Sequence, residues 1–261
     1  MVALTDENRR HILDQGYTVL PAAVPPRLVD AALRAINASL GSAGIDPSVR
    51  ERSFCPELRT SAVITDLVNT TPLWSAVQSL LGAGQVDAAT SGQIALRFPA
   101  PPGREKRPVS PHLDGMHGAN NGVPAGAILN FTALVGVYLS DVTTVDAGNF
   151  TVWPGSHHLY EDYFRVHGPQ SLLEGMPSVA LPEPVQVRAR PGDAVISHYQ
   201  LGHSIAPNLS PHVRYAVYFR FSRHGHEAVR WDCMTDIWRE WQGMRDLTGA
   251  AGGAHAERAT T

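Results

Sequence analysis

The spacing of apolar residues changes period along the chain, and the change divides it into a helical first part and a strand-rich remainder. Thr5 ahead of Asp6 and Glu7 predicts an N-cap with acid in the first turn, and Ile12 and Leu13 supply a short apolar face. The stretch GYTVLPAAV from Gly16 reads as a strand. PRLVDAALRAINASLG from Pro26 places Leu28, Ala32, Ala35, Ile36 and Leu40 at helical spacing, with proline near its start and Gly41 after its end. PLWSAVQSLLG from Pro72 repeats that punctuation. In GQIALRFP the period becomes two: Gln93, Ala95 and Arg97 share one face, and Ile94, Leu96 and Phe98 the other. AILNFTALVGVYL, NFTVWP, PVQVRARPGDAVISHYQ and HVRYAVYFRFS follow as strands bounded by Pro, Gly and Asn. TDIWREWQGMRDL predicts an amphipathic helix with Ile237, Trp238, Trp241 and Met244 on its apolar side. Helices first and many strands afterwards suggest a β-sandwich or barrel carrying helices on one side.

Composition narrows the class. The 261 residues are 43% hydrophobic and 17% charged, with a formal net charge of −3, which supports a buried core and gives no basic stripe for nucleic acid. The 23 Gly and 20 Pro fall mostly between short apolar runs, as in turn-punctuated β cores. No apolar run approaches the ~20 residues of a membrane span, and the polar N-terminus lacks the apolar middle of a secretory signal. Cys55 and Cys233 are too few for a disulfide framework. These features predict one cytoplasmic domain over residues 1–247, a frayed tail over 248–261, and neither nucleic-acid nor membrane binding; oligomeric state stays open.

The 12 histidines draw attention to metal chemistry. His112 and Asp114 in PHLDGMHG are separated by one residue, so on a strand both side chains leave the same face, as two corners of a metal site or as a surface pair. Far downstream, His203 opens another extended segment, and Arg214 sits in the alternating HVRYAVYFRF. There Val213, Tyr215, Val217 and Phe219 share one face and Arg214, Ala216 and Tyr218 the other. If Arg214 points inward it requires an anion, and its planar fork suits a carboxylate; if it faces solvent it means little. Together His112, Asp114 and His203 make a two-His-one-carboxylate facial triad, which leaves open positions for a bidentate keto-acid and for O2 and leans towards iron rather than zinc.

Four segments carry a specific resemblance: DQGYTVLPAAVPPRLVDAA from Asp14, HLD from His112, DAGNFTVWPGSHH from Asp146, and RPGDAVISHYQLGHSIAPN from Arg190 followed by Arg214. In this order, and over about residues 10 to 222, the sequence resembles the phytanoyl-CoA dioxygenase family of Fe(II)/2-oxoglutarate-dependent oxygenases. The resemblance implies a mainly β fold with flanking helices, a double-stranded β-helix (jelly-roll, cupin-like) barrel with the metal at one mouth. It implies that His112, Asp114 and His203 bind Fe(II) and that Arg214 holds 2-oxoglutarate, with Ser204 adding a hydrogen bond. His203 is preferred to His198 as the distal ligand, because its spacing to Arg214 fits the family. Gln93 or Arg97 would reach the cosubstrate, and His117 and Tyr138 are candidate substrate contacts. The family often has an aromatic residue near Val137 or Tyr138, and the alignment favours Val137 at that place.

The implied activity is hydroxylation of an unactivated C–H at the expense of 2-oxoglutarate and O2, giving succinate and carbon dioxide. Halogenases of this kind lack the carboxylate, so Asp114 disfavours halogenation. A free small molecule, such as a secondary metabolite, is favoured over an acyl-CoA thioester, because no basic cluster for the CoA phosphates is evident. The alternatives are a non-catalytic ligand-binding barrel and a metal-dependent barrel enzyme of another type. His157 and His158 are expected to stabilise a turn, His212, His224, His226 and His255 to lie at the surface, and Trp153 and Trp231 to pack. GMHGANNGVPAGAILN is expected to form a lid and PAPPGREKRP an exposed connection.

Overall fold

The computed structural model describes residues 4–43, 54–101, 103, 108–118 and 122–248. The expected tail beyond Thr248, half of the PAPPGREKRP connection and residues 119–121 of the expected lid lie outside the described residues. Four helices lead: α1 (Asp6–Gln15), α2 (Pro26–Ala43), α3 (Ala62–Asn69) and α4 (Pro72–Leu81), with β1 (Tyr17–Leu20) between the first two. Thr5 caps α1, its hydroxyl accepting from the Asn8 N–H while the Asn8 side chain accepts from the Thr5 N–H. The remaining strands are β2 (Gln93–Arg97), β3 (Ala133–Tyr138), β4 (Phe150–Val152), β5 (Val185–Gln186), β6 (Ala194–His198), β7 (His203–Ile205) and β8 (Arg214–Phe221). Helix α5 (Ser156–His167) follows β4, and the short α6 (His226–Val229) follows β8.

The strands form two antiparallel sheets, a five-stranded one ordered β1-β6-β3-β8-β2 and a three-stranded one ordered β5-β4-β7. The larger sheet sorts its side chains by parity. Val135, Val137, Ile196, Val217 and Phe219 pack with Ile12, Ile36, Ile64, Leu67 and Leu73 of the helical layer. Leu134, Tyr138, Val195, Ala216 and Tyr218 belong to a second core with Phe150 and Val152 of the smaller sheet. Arg214 shares the parity of Ala216 and Tyr218, so its side chain must enter the space between the sheets. The architecture is a two-sheet antiparallel stack with helices on the outer face of the larger sheet, and no closed barrel is formed among the described residues. No helix among them is long and apolar enough to cross a membrane.

Three expectations are corrected. TDIWREWQGMRDL does not form one amphipathic helix: a short 3-10 turn occupies Gln242–Met244 and buries Met244, while Ile237 and Trp241 are buried from the backbone before it. Tertiary burial satisfies the apolar spacing without a continuous helix. The PGSHH stretch does not merely turn; it opens α5, whose His157 and His158 both reach the Leu13 carbonyl at the end of α1. His226 is buried, its Nδ1 lying 2.7 Å from Glu240, whose carboxylate also accepts from the Thr132 hydroxyl.

His198 is also structural. Its Nε2–H donates to the Ile237 carbonyl at 2.8 Å, its Nδ1 accepts from the Gln200 N–H at 2.9 Å, and the ring stacks on Trp241. Both ring nitrogens are satisfied only in the neutral tautomer, and burial pushes the pKa down to about 4. A depressed histidine contributes stability that is present above its unfolded pKa and lost as pH falls towards the folded one. Lowering the pH from about 7.5 to about 5 is therefore expected to cost about 2 kcal/mol through this residue. His157, also held well below its usual value by burial, acts in the same direction. Urea unfolding of the metal-free protein at the two pH values checks this; His198→Phe, which can still stack, should lose less stability on acidification than wild type.

Candidate metal and keto-acid site

The site lies between the two sheets, where an isolated antiparallel bridge joins His112 to His203 through N–H···O bonds of 2.9 and 3.2 Å. This bridge extends the β5-β4-β7 sheet and sets the two imidazoles side by side, with ring centroids 4.5 Å apart. Asp114 completes the group, its Oδ1 lying 3.7 Å from His112 Nε2 and 3.6 Å from His203 Nε2. Two atoms each about 2.1 Å from one ion stand between about 3.0 Å (right angle) and about 4.2 Å (straight line) apart, so these separations suit a shared ion. The His203 Nδ1 lies 3.0 Å from the Leu201 carbonyl. A carbonyl only accepts, so Nδ1 carries the proton and Nε2 presents its lone pair to the cluster. Burial acts to raise the Asp114 carboxyl pKa, but the adjacent His112 and His203 imidazoles and the charge of Arg220 outweigh it and hold the group well below the usual carboxylate range. Desolvation lowers the His112 imidazole below its ordinary value, with Asp114 pulling the other way. The donor set is thus one carboxylate and two imidazole nitrogens, which fits a divalent transition metal with open positions.

Arg214 supplies the second half of the site. It is 3% exposed, its Nε donates to the Gly148 carbonyl at 3.0 Å, and its Nη1 donates to the Ala95 carbonyl at 3.1 Å. Among the described residues no carboxylate pairs with it, so a buried cation is held in place with donors to spare. Burying an unpaired charge is costly, and a carboxylate ligand would relieve that cost. The Tyr218 hydroxyl is buried nearby without a hydrogen-bond partner, and so is that of Tyr138, both in the electrostatic field of Arg214. Gly148 makes this packing possible. It sits at φ +77°, and a Cβ there would come within 3.1 Å of Arg97 Cβ and 3.2 Å of Arg214 Cβ.

A cavity of about 310 Å³ joins the two halves; His112, Asp114, His203, Arg214, Gln93 and Arg97 all contribute to its wall. Leu134, Phe150, Ile205 and Tyr218 contribute to its apolar part, and Arg220 also lines it. The Arg214 guanidinium, with no carboxylate partner among the described residues, thus gives this cavity a positive end suited to an anionic keto-acid.

The other expected site residues are placed elsewhere. Ser204 alternates with His203 and Ile205 on β7, so it faces away, opposite Thr151 of β4, and is not part of the cavity wall. His117 is exposed on the following loop with Nδ1 2.7 Å from the Val123 carbonyl, outside the cavity wall. Tyr138 is buried behind the wall rather than on it. Of the pair at the place where the family often has an aromatic residue, Val137 packs towards the helices and Tyr138 into the core between the sheets, so the aromatic of the two is the inward one. His198 stands apart in its tryptophan cluster.

Arg220 is the residue that sequence reasoning passed over. Its Nη2 and Nε donate to Asp114 Oδ2 at 2.7 and 3.0 Å, and its Nη1 donates to Gln93 Oε1 at 2.8 Å. The signal was available, because Arg220 lies on β8 at the same parity as Arg214. Gly136 on β3 is a second such residue: a Cβ there would lie 2.6 Å from the Tyr218 ring. Gly136→Ala is expected to push Tyr218 into the cavity and weaken keto-acid binding, measurable by titration, at a stability cost of about 1–3 kcal/mol for overpacking.

The sequence profile of the family described as Phytanoyl-CoA dioxygenase (PhyH) matches residues 12–216. Comparison with curated protein sequences returns no match. Among solved structures, HygX from Streptomyces hygroscopicus with nickel and 2-oxoglutarate bound is similar at a TM-score of 0.56 and 20% identity, over 84% of this chain and 87% of that one. The apo form of ThoJ, a non-heme monooxygenase, gives a TM-score of 0.55 and 22% identity over 82% of this chain and 76% of its own. SnoK, a non-heme alpha-ketoglutarate-dependent carbocyclase from nogalamycin biosynthesis, gives 0.52 and 21% over 84% and 83%. At these identities the likeness is one of fold.

Proposed function

Because the chain belongs to the phytanoyl-CoA dioxygenase family, we propose that it is an Fe(II)- and 2-oxoglutarate-dependent oxygenase that hydroxylates an unactivated C–H bond of a small organic molecule. The observation that carries this reading is the convergence of His112, Asp114 and His203 on one wall of a cavity that also holds the buried Arg214. In it, the two Nε2 atoms and Asp114 Oδ1 hold the metal, and Arg214 takes the distal carboxylate of 2-oxoglutarate in two parallel hydrogen bonds. Tyr218 donates its unpartnered hydroxyl to the same carboxylate. Gln93 and Arg97 stand on the same wall as candidate contacts to cosubstrate or substrate. When bound, iron and 2-oxoglutarate supply the oxidising power, consuming O2 and releasing carbon dioxide and succinate. The protein's own part is to orient these groups and to keep water from them with Leu134, Phe150 and Ile205.

Cavity size bears on the substrate. About 310 Å³ is at the low end for ligand pockets and must already accommodate the cosubstrate. The body of the substrate then lies outside it, in an adjoining groove of about 360 Å³ that shares Gln93, Tyr218 and Arg220 and is lined by Arg59, Asp87, Thr90, Ser91 and Ser222. A polar groove of this kind favours an oxygen- or nitrogen-rich metabolite over a fatty acyl chain. Related folds take such compounds: HygX has been solved with hygromycin B and the epimerase SnoN with nogalamycin RO. Monooxygenase, carbocyclase and epimerase occur on the same scaffold, and hydroxylation is the outcome that needs least from the site beyond the oxidant. The test is iron-dependent conversion of 2-oxoglutarate to succinate, with the visible charge-transfer band of the anaerobic Fe(II)–keto-acid complex as an independent readout. Absence of both overturns the proposal and leaves a ligand-binding fold.

A further inference from the structure

The contacts of Arg220 extend the proposed reading, on which this inference rests. A carboxylate can bind a metal through one oxygen or through both. A facial triad leaves three positions open only if its carboxylate uses one. A keto-acid chelate takes two of them and O2 needs the third, so a chelating Asp114 would remove a position the reaction requires.

The guanidinium prevents that by the way it docks. An arginine commonly meets a carboxylate fork to fork, one N–H on each oxygen. Here Nε and Nη2 converge on the same atom, Oδ2, while Oδ1 is left turned towards the two imidazoles at 3.6 and 3.7 Å. The guanidinium is itself fixed: Nη1 donates to Gln93 Oε1, and its central carbon stands 5.6 Å from the centre of the Phe131 ring. Strands β2 and β8 are paired in register, Gln93 opposite Tyr218, which sets the amide within reach of Arg220 two residues along. We propose that Arg220 is a positioning residue that divides the labour between the two oxygens of Asp114, reserving Oδ1 for the metal and holding Oδ2 out of coordination. Loss of the arginine frees Oδ2 to chelate, so the metal is held at least as well but the keto-acid competes for its second position.

The experiment compares wild type with Arg220→Leu and Arg220→Lys, whose ammonium restores a charged donor without the fork. Ni(II) affinity is measured by calorimetry, and 2-oxoglutarate binding by anaerobic titration of the Fe(II) charge-transfer band; thermal melting of the metal-free proteins reports folding. The expected result for Arg220→Leu is a 2-oxoglutarate midpoint raised about tenfold or more, with Ni(II) affinity within about threefold of wild type or tighter and with Arg220→Lys recovering most of the difference. Arg220→Gln takes the place of the leucine variant if that one does not fold. A midpoint that stays within about threefold of wild type in Arg220→Leu, or a loss of Ni(II) affinity that lysine does not restore, overturns the inference. If wild type itself shows no band, the keto-acid reading fails and this inference falls with it; a normal wild-type band with an unmoved variant sinks the role of Arg220 alone.

Discussion

Replacing Asp114 by alanine is expected to abolish 2-oxoglutarate turnover while leaving a folded protein, with a loss well beyond the ~10–100-fold that removal of an outer-shell partner costs. Asp114 supplies the one anionic donor of the cluster and is the atom group through which the two imidazoles are related, each about equally distant from Oδ1. Without it two neutral nitrogens remain facing Arg220, whose charge then lies uncompensated beside the metal position and repels a dication. Folding is expected to survive, because the side chain borders a cavity and takes no part in either hydrophobic core. Metal stoichiometry, succinate formation and thermal melting of Asp114→Ala together decide the matter. A variant that still turns over 2-oxoglutarate at a wild-type rate would remove Asp114 from the site. One that aggregates on loss of the carboxylate would make it a structural residue.

The second large effect is expected at Arg214. Substituting methionine, of similar reach and no charge, should raise the 2-oxoglutarate concentration needed to form the charge-transfer complex by about a hundredfold or more, since two hydrogen bonds to a charged group are each worth about 1.5–3 kcal/mol. Metal binding should be nearly unchanged, because Arg214 makes its contacts to the Gly148 and Ala95 carbonyls rather than to the triad. The stability of the metal-free protein should shift little: two carbonyls lose a donor, but a buried cation without a carboxylate partner is removed as well. Unaltered keto-acid affinity in Arg214→Met would place the distal carboxylate elsewhere, with Arg97 the next guanidinium on the cavity wall.

Two strands of the larger sheet, β2 and β8, could be read in advance because their faces alternate in the sequence. Ile94 and Leu96 of β2, and Val217 and Phe219 of β8, pack against the helices as their parity requires. The same rule leaves Arg214 facing inward, a point that pattern alone could not decide, because nothing in the alternation states which face meets the second sheet. Helix punctuation was also legible: Thr5 caps α1, and Pro72 and Gly82 bound α4. Where the reading failed, tertiary contacts had overridden a local signal. Residues 235–247 have helical apolar spacing, yet Ile237 and Trp241 reach the His198 cluster from irregular backbone. Ser204 was named for its adjacency to His203, whereas neighbours on a strand point to opposite faces.

By itself, then, the amino-acid order determined the family and singled out His112, Asp114, His203 and Arg214 as candidates, since side-chain type and spacing are local properties of the chain. What tertiary structure alone decided was convergence. The backbone bridge between His112 and His203 aligns two imidazoles from distant segments, and the carbonyls of Gly148, just before β4, and of Ala95 on β2 fix the Arg214 guanidinium. Docking of both Arg220 donors on a single oxygen of Asp114 is of the same kind. Such distances depend on how separate strands are registered against one another, and register follows from packing across the whole core rather than from any one stretch of sequence.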